Sequence, residues 1–102
     1  MNTTMNTTMN NEIGTLEEHD VALEELLGLN SSEIIVYNDD VNTFDHVIST
    51  LVDVCEHHPH QAEQCAIIIH HNGKCGVKTG SYKELEPKCS KLLSAGLNAE
   101  IV

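Results

Sequence analysis

Asn38, Asp39 and Asp40 stand side by side at the end of the apolar run Ile34-Ile35-Val36-Tyr37. An amide oxygen next to carboxylates is a receptor for a cation, either an ammonium group or a metal ion. Period-two alternation along an extended chain sets Asn38 and Asp40 on one face and Asp39 on the other. A neutral imidazole at His70 offers a third acceptor through a ring nitrogen. Turn punctuation is the competing account of Asn-Asp-Asp, because Asn and Asp are ordinary turn residues. The phase of the neighbours favours a site. Ala66, Ile69 and His70 share one helical face at i, i+3 and i+4, and Phe44, Val47 and Thr50 follow one another at helical spacing. Two such faces meeting would form an apolar pocket with a polar rim at Asn38, Asp40 and His70. Periodicity alone leaves ordinary core packing open for the apolar members.

A rival constellation is the histidine set His57, His58, His60, His70 and His71. Adjacent residues on a helix point about 100° apart, so His70 and His71 do not easily face one metal. No close Cys pair completes a tetrahedral set, and no metal site is expected. A small His-rich metal-binding protein is kept as an alternative. The sequence shows no nucleophile–base arrangement, Gly-rich phosphate loop or nucleotide fingerprint, so neither an enzyme nor a cofactor is expected.

The elements that must position these residues read strand, helix, helix, strand, helix, strand. The first strand is expected over 34–38, rich in branched apolar residues. The first helix opens after Asn42 or Thr43 as N-cap, with Asp45 in its first turn. Phe44, Val47, Ile48, Leu51 and Cys55 keep its 3.6 period. The second helix starts at Pro59, suited to a first helical position, and ends at Asn72-Gly73. The second strand is expected over 74–79. Ser81-x-x-Glu84 is a capping box that opens the third helix. Pro87 inside that helix removes a backbone donor and predicts a kink or break near Glu86. Gly96 follows the helix, and a last strand is expected over 97–102. This order implies an α+β sandwich, a three-stranded antiparallel sheet packed with three helices.

A chain of 102 residues is one domain at most, and its net charge is −11. No Lys or Arg precedes Lys74, whereas 13 of the 16 acidic residues do. Such a surface repels phosphate backbones and attracts cationic ligands and basic partners, so no nucleic-acid partner is expected. Residues 1–33 hold a tandem Met-Asn-Thr-Thr repeat and then acidic residues among scattered leucines. They are expected to be a disordered acidic extension, with the folded core at 34–102. The N-terminus lacks the apolar segment of a secretory signal, and no stretch approaches a membrane span; a cytoplasmic protein without a membrane partner is expected. Cys55, Cys65, Cys75 and Cys89 form no CxxC pair and read as reduced, small apolar core residues.

The ordered set Tyr37-Asn38-Asp39-Asp40, Thr43-Phe44-Asp45-His46-Val47, Ile69-His70-His71-Asn72-Gly73-Lys74 and Cys75-Gly76-Val77 resembles the ClpS family over roughly residues 34–102. These are adaptors that hand N-degron substrates to a Clp AAA+ protease, ClpA or ClpC type with ClpP. The resemblance implies the βααβαβ fold deduced above, which ribosomal L7/L12 C-terminal domains share. It implies that proteins with N-terminal Leu, Phe, Tyr or Trp are bound and delivered for degradation. Carried over, Asn38, Asp40 and His70 grip the α-amino group. Phe44, Val47, Thr50, Ala66, Ile69 and Ala99 line the pocket, Asn42 faces the peptide backbone, and Asp39 contributes electrostatically. The extension would engage the unfoldase. In three places the chain departs from the better-known pattern: Phe44 stands where many members have Met, Ala66 where a larger Met can occur, and the Gly73–Val77 segment is short. The second alternative is an interaction module of the same sandwich fold, of ribosomal-stalk type, without an N-degron pocket.

Overall fold

Ile34, Ile35 and Val36 carry β-branched side chains that suit a pleated backbone, and they form the middle of β1 (Ser32–Tyr37). The computed structural model describes residues 31–102, which form one compact unit. The repeat and most of the acidic extension expected at 1–33 lie outside the described residues. After β1 come α1 (Phe44–Cys55), α2 (Pro59–Asn72), β2 (Lys74–Gly80), α3 (Tyr82–Ser94) and β3 (Asn98–Ile101). β1 is the central strand of an antiparallel sheet in the order β2-β1-β3. It begins two residues ahead of the boundary read from side-chain type, because pairing extends it. Ser32 stands opposite Gly80 and Glu33 opposite Thr79, and Glu33 exchanges backbone hydrogen bonds with Val102.

Each helix start follows from its cap. The Thr43 side chain accepts from the His46 N–H, His58 accepts from the His60 N–H with Pro59 next to it, and Ser81 and Glu84 close a reciprocal capping box. Gly73 ends α2 with φ +91°, a left-handed geometry that a side chain would strain. The expected interruption at Pro87 does not occur, and α3 runs unbroken through it. Proline deprives the Lys83 carbonyl of its donor. Lys83 and Pro87 are both exposed, so water reaches that carbonyl and the helix continues.

The helices cover one face of the sheet. Ile34, Val36, Leu51, Cys55, Leu85 and Leu92 are the largest fully buried side chains. Cys55, Cys65 and Cys89 are buried free thiols, and burial pushes all three upward in pKa. His57 is buried for a different reason. The β1–β2 ladder passes from Ile35↔Gly76 to Ile34↔Lys78, which leaves Val77 as the extra residue of a bulge. The His57 Nε2–H donates to the Val77 carbonyl at 2.6 Å. His57→Ala would strip that carbonyl of its donor and open a cavity, so it is expected to lower stability by about 2–4 kcal/mol. Urea titration should show a lower midpoint with an unchanged slope.

Candidate functional site

The end of β1 and the end of α2 are tied together by backbone. The Asn38 N–H donates to the Gly73 carbonyl at 2.9 Å, and the Gly73 N–H donates to the Ile69 carbonyl at 2.9 Å. This puts the last turn of α2, with His70, next to the loop after Tyr37. α1 starts at the far end of that loop, so Phe44 and Val47 face Ala66 and Ile69 across a hollow of about 350 Å³. Its lining is Asn38, Asp39, Asp40, Asn42, Phe44, Val47, Ala66, Ile69 and His70.

The walls differ in depth. Ala66 and Ile69 are buried at 3% and 4% exposure, whereas Phe44 is 43% exposed at the first position of α1. A ring nearly half in solvent suits a rim better than a core. The short Ala66 side chain leaves room opposite it. Asn38, Asp40 and His70 are exposed at the mouth. Two residues expected here stand elsewhere. Thr50 is buried inside α1 and does not line the hollow. Ala99 lines a separate groove between α3 and β3 with Tyr82, Glu86 and Leu93. Spacing along α1 favoured Thr50, but the helix buries its side chain away from the lining.

Asp39 has a role that strand alternation misplaced. β1 ends at Tyr37, so period two no longer governs residues 38–40. Asp39 Oδ1 accepts from the Val41 N–H and the Asn42 N–H, each at 2.8 Å, and Oδ2 accepts from Asn42 Nδ2 at 2.7 Å. These bonds, first those from Asn42 and then that from Val41, hold the Asp39 carboxyl below the usual carboxylate range. Asn42 Nδ2 also donates to the Gly96 carbonyl at 2.9 Å. Both amide hydrogens are thereby used, and Oδ1 keeps its acceptor capacity.

His46 completes the frame. Its Nε2–H donates to the Ala95 carbonyl at 2.8 Å, so α1 and the site loop are both pinned to the turn after α3. Sequence reasoning did not find His46, since nothing local places Ala95 beside it. It also missed the structural task of Asp39, although Asp followed by acceptor-seeking N–H groups two and three residues on is a readable turn signal. The other histidines are dispersed: His57 is buried against β2, His58 caps α2, and His70 and His71 meet edge to face at 5.2 Å. Among the described residues no group of three or more His, Cys, Asp or Glu is placed to hold a metal ion.

Fold and site together define a small α+β sandwich with an amphiphilic hollow at the mouth of its central strand. The chain belongs to the ClpS family, the ATP-dependent Clp protease adaptor proteins, whose profile matches residues 30–100. A ClpS adapter protein from Oleidesulfovibrio alaskensis is 32% identical over 76 residues, covering 72% of this chain and 73% of that protein. A ClpS adapter protein from Campylobacter jejuni is 41% identical over 49 residues, covering 46% of this chain and 51% of that protein. The chain thus spans about half the length of that relative. A solved structure, Agrobacterium tumefaciens ClpS2 bound to L-phenylalaninamide, superposes with a TM-score of 0.65 at 16% identity. It covers 72% of this chain and 98% of that one, and it shows the shared fold. No helix among the described residues is long and apolar enough to cross a membrane.

Proposed function

We propose that this chain is a non-enzymatic cytoplasmic adaptor that binds proteins by a free N-terminal Leu, Phe, Tyr or Trp. It passes them to a Clp AAA+ unfoldase of ClpA or ClpC type, working with ClpP. The observation that carries this reading is the hollow itself: an amide, a carboxylate and an imidazole on the rim, with apolar walls directly below. An α-ammonium group is a cation attached one carbon from an apolar side chain, and the hollow offers acceptors and dry surface in that order. L-Phenylalaninamide, the ligand of the Agrobacterium protein, has this chemistry. Asn38, Asp40 and His70 take the ammonium, and Phe44, Val47, Ala66 and Ile69 take the side chain. Asn42 Oδ1 accepts from the next peptide N–H. The extension at 1–33 engages the unfoldase during hand-off.

The magnitudes fit a transient complex. A hydrogen bond to a charged group contributes about 1.5–3 kcal/mol, and burying a Leu or Phe side chain about as much. After association costs, a Kd of roughly 0.1–100 μM follows.

Peptides that differ only in their first residue test the reading. Leu places its branch one carbon further from the backbone than Ile, toward Val47, Ile69 and the space beside Ala66. Ile and Val carry their bulk at the β carbon, where the ring of Phe44 stands. Ile-initiated peptides are therefore expected to bind about tenfold more weakly than Leu-initiated ones, a steric rejection and not a difference in hydrophobicity. Phe44→Ala should admit Ile and narrow that gap while losing some affinity for Leu. Fluorescence anisotropy with the two peptides measures it. Equal binding of Leu and Ile by the wild type, or a ratio unmoved by Phe44→Ala, would make Phe44 a packing residue.

A further inference from the structure

Two thiols have no part in that site. Cys65 lies on the buried stripe of α2, with Ala62, Ala66 and Ile69. Cys75 lies on β2 directly opposite Val36. Cross-strand partners project to the same face of a sheet. Val36 is fully buried under the helices, so Cys75 projects to the helix side as well, and it packs half-buried against the core. α2 passes into β2 through Gly73 alone, which brings these two surfaces together. The Cys65 thiol is pushed up to about 12, first by burial and then by the neighbouring Cys75. The Cys75 thiol itself donates to the Gly76 carbonyl at 3.3 Å and is the more accessible of the two.

We infer that Cys65 and Cys75 form a peroxide-oxidisable pair whose disulfide links α2 to β2 and weakens binding at the hollow. The second half rests on the ligand reading given above. The Cys75 sulfur attacks one oxygen of hydrogen peroxide. The O–O bond breaks, water leaves, and a sulfenic acid remains on Cys75. The Cys65 sulfur then displaces the hydroxyl, forming the S–S bond, and its proton leaves with that hydroxyl as a second water. Two thiols have lost two electrons and two protons to one peroxide. A thiol held protonated, as Cys65 is, attacks slowly, so the second step is the slower one.

The bond has a consequence for the site because Ala66 is the next residue after Cys65 and Ile69 is one turn on. A disulfide requires a Cα separation of about 4.4–6.8 Å and a fixed dihedral. Meeting it fixes the spacing and orientation of this part of α2 against β2, and with them the wall made by Ala66 and Ile69.

The experiment uses the full reduced chain, whose four cysteines are all named above. It is treated with equimolar hydrogen peroxide, followed by thiol titration, peptide mapping and Leu-peptide binding. Two thiols should disappear, with a cross-linked peptide joining residues 65 and 75, a monomer on a non-reducing gel, and full recovery on reduction. Peptide affinity should fall about tenfold on oxidation and return on reduction. Cys65→Ala should leave a sulfenic acid on Cys75 that dimedone captures. Cys75→Ser, at the more exposed position, should abolish the disulfide without disturbing the fold. Four surviving thiols, a bond involving Cys55 or Cys89, or a disulfide-linked dimer would overturn the pair. An intact 65–75 disulfide with unchanged affinity would overturn its effect on the site. If the reduced chain does not bind Leu peptide, the ligand reading has failed, and peptide mapping still decides the thiol pair.

Discussion

A Leu-initiated peptide is expected to lose at least about a hundredfold in affinity when its α-amino group is acetylated. Acetylation removes the positive charge and replaces an ammonium hydrogen with an acyl carbon. Asn38, Asp40 and His70 then face one amide N–H in place of three charged N–H groups. Each hydrogen bond to a charged group contributes about 1.5–3 kcal/mol, and loss of two of them already exceeds a hundredfold. The acetyl group also has to occupy the rim next to the Asp40 carboxylate, which then has no cation to face. The apolar side chain is unchanged, so the free energy of its burial stays the same. Calorimetry with paired free and acetylated peptides measures the difference. Equal affinity would mean that the hollow reads only apolar bulk, and the interaction-module account of this fold would replace the adaptor account.

The fold was legible in the sequence to the extent that it rests on local signals. Thr43, Pro59, Gly73 and the Ser81–Glu84 box mark helix ends through groups within a few residues, and each stands where those signals place it. Signals that depend on distant partners were misread. β1 starts at Ser32 because Gly80 and Val102 pair with its first residues, and neither is near in sequence. Pro87 fails to break α3 because its environment is solvent, which a proline rule does not contain. The site divides in the same way. Helical phase gathers Phe44, Val47, Ala66, Ile69 and His70 at one hollow, but it also proposes Thr50, whose side chain the core takes. Ala99 came from resemblance alone, and here it faces the groove beside α3. Alternation through residues 38–40 failed at Asp39 because the strand had already ended at Tyr37.

Asp39→Ala is expected to weaken Leu-peptide binding about tenfold or more, although Asp39 need not touch the ligand. Its carboxylate is the acceptor for three N–H groups of Val41 and Asn42, and through Asn42 it connects the loop to the Gly96 carbonyl. Without it, the loop that holds Asn38, Asp40 and Asn42 gains alternative conformations, and binding has to order them again. Asp40→Ala should also weaken binding, by removing a direct acceptor, but it leaves the Asp39 bonds in place. The two variants separate in a measurement without ligand: amide exchange at Val41 and Asn42 should rise in Asp39→Ala and stay unchanged in Asp40→Ala. Asp39→Asn should fall between, since an amide oxygen can keep the two backbone bonds while its Nδ2 opposes that of Asn42. The pH dependence has a fixed sign. The folded pKa of Asp39 lies below the unfolded value of about 3.9, so its stabilisation of the loop is complete above that value and is lost as pH falls through the folded one. Slow exchange at Val41 and Asn42 should therefore persist at pH 5 and disappear in stronger acid, and in Asp39→Ala it should be absent at both. Unchanged exchange and affinity in Asp39→Ala would show that the loop is held by its other contact, Asn42 on Gly96, and that the carboxylate is dispensable.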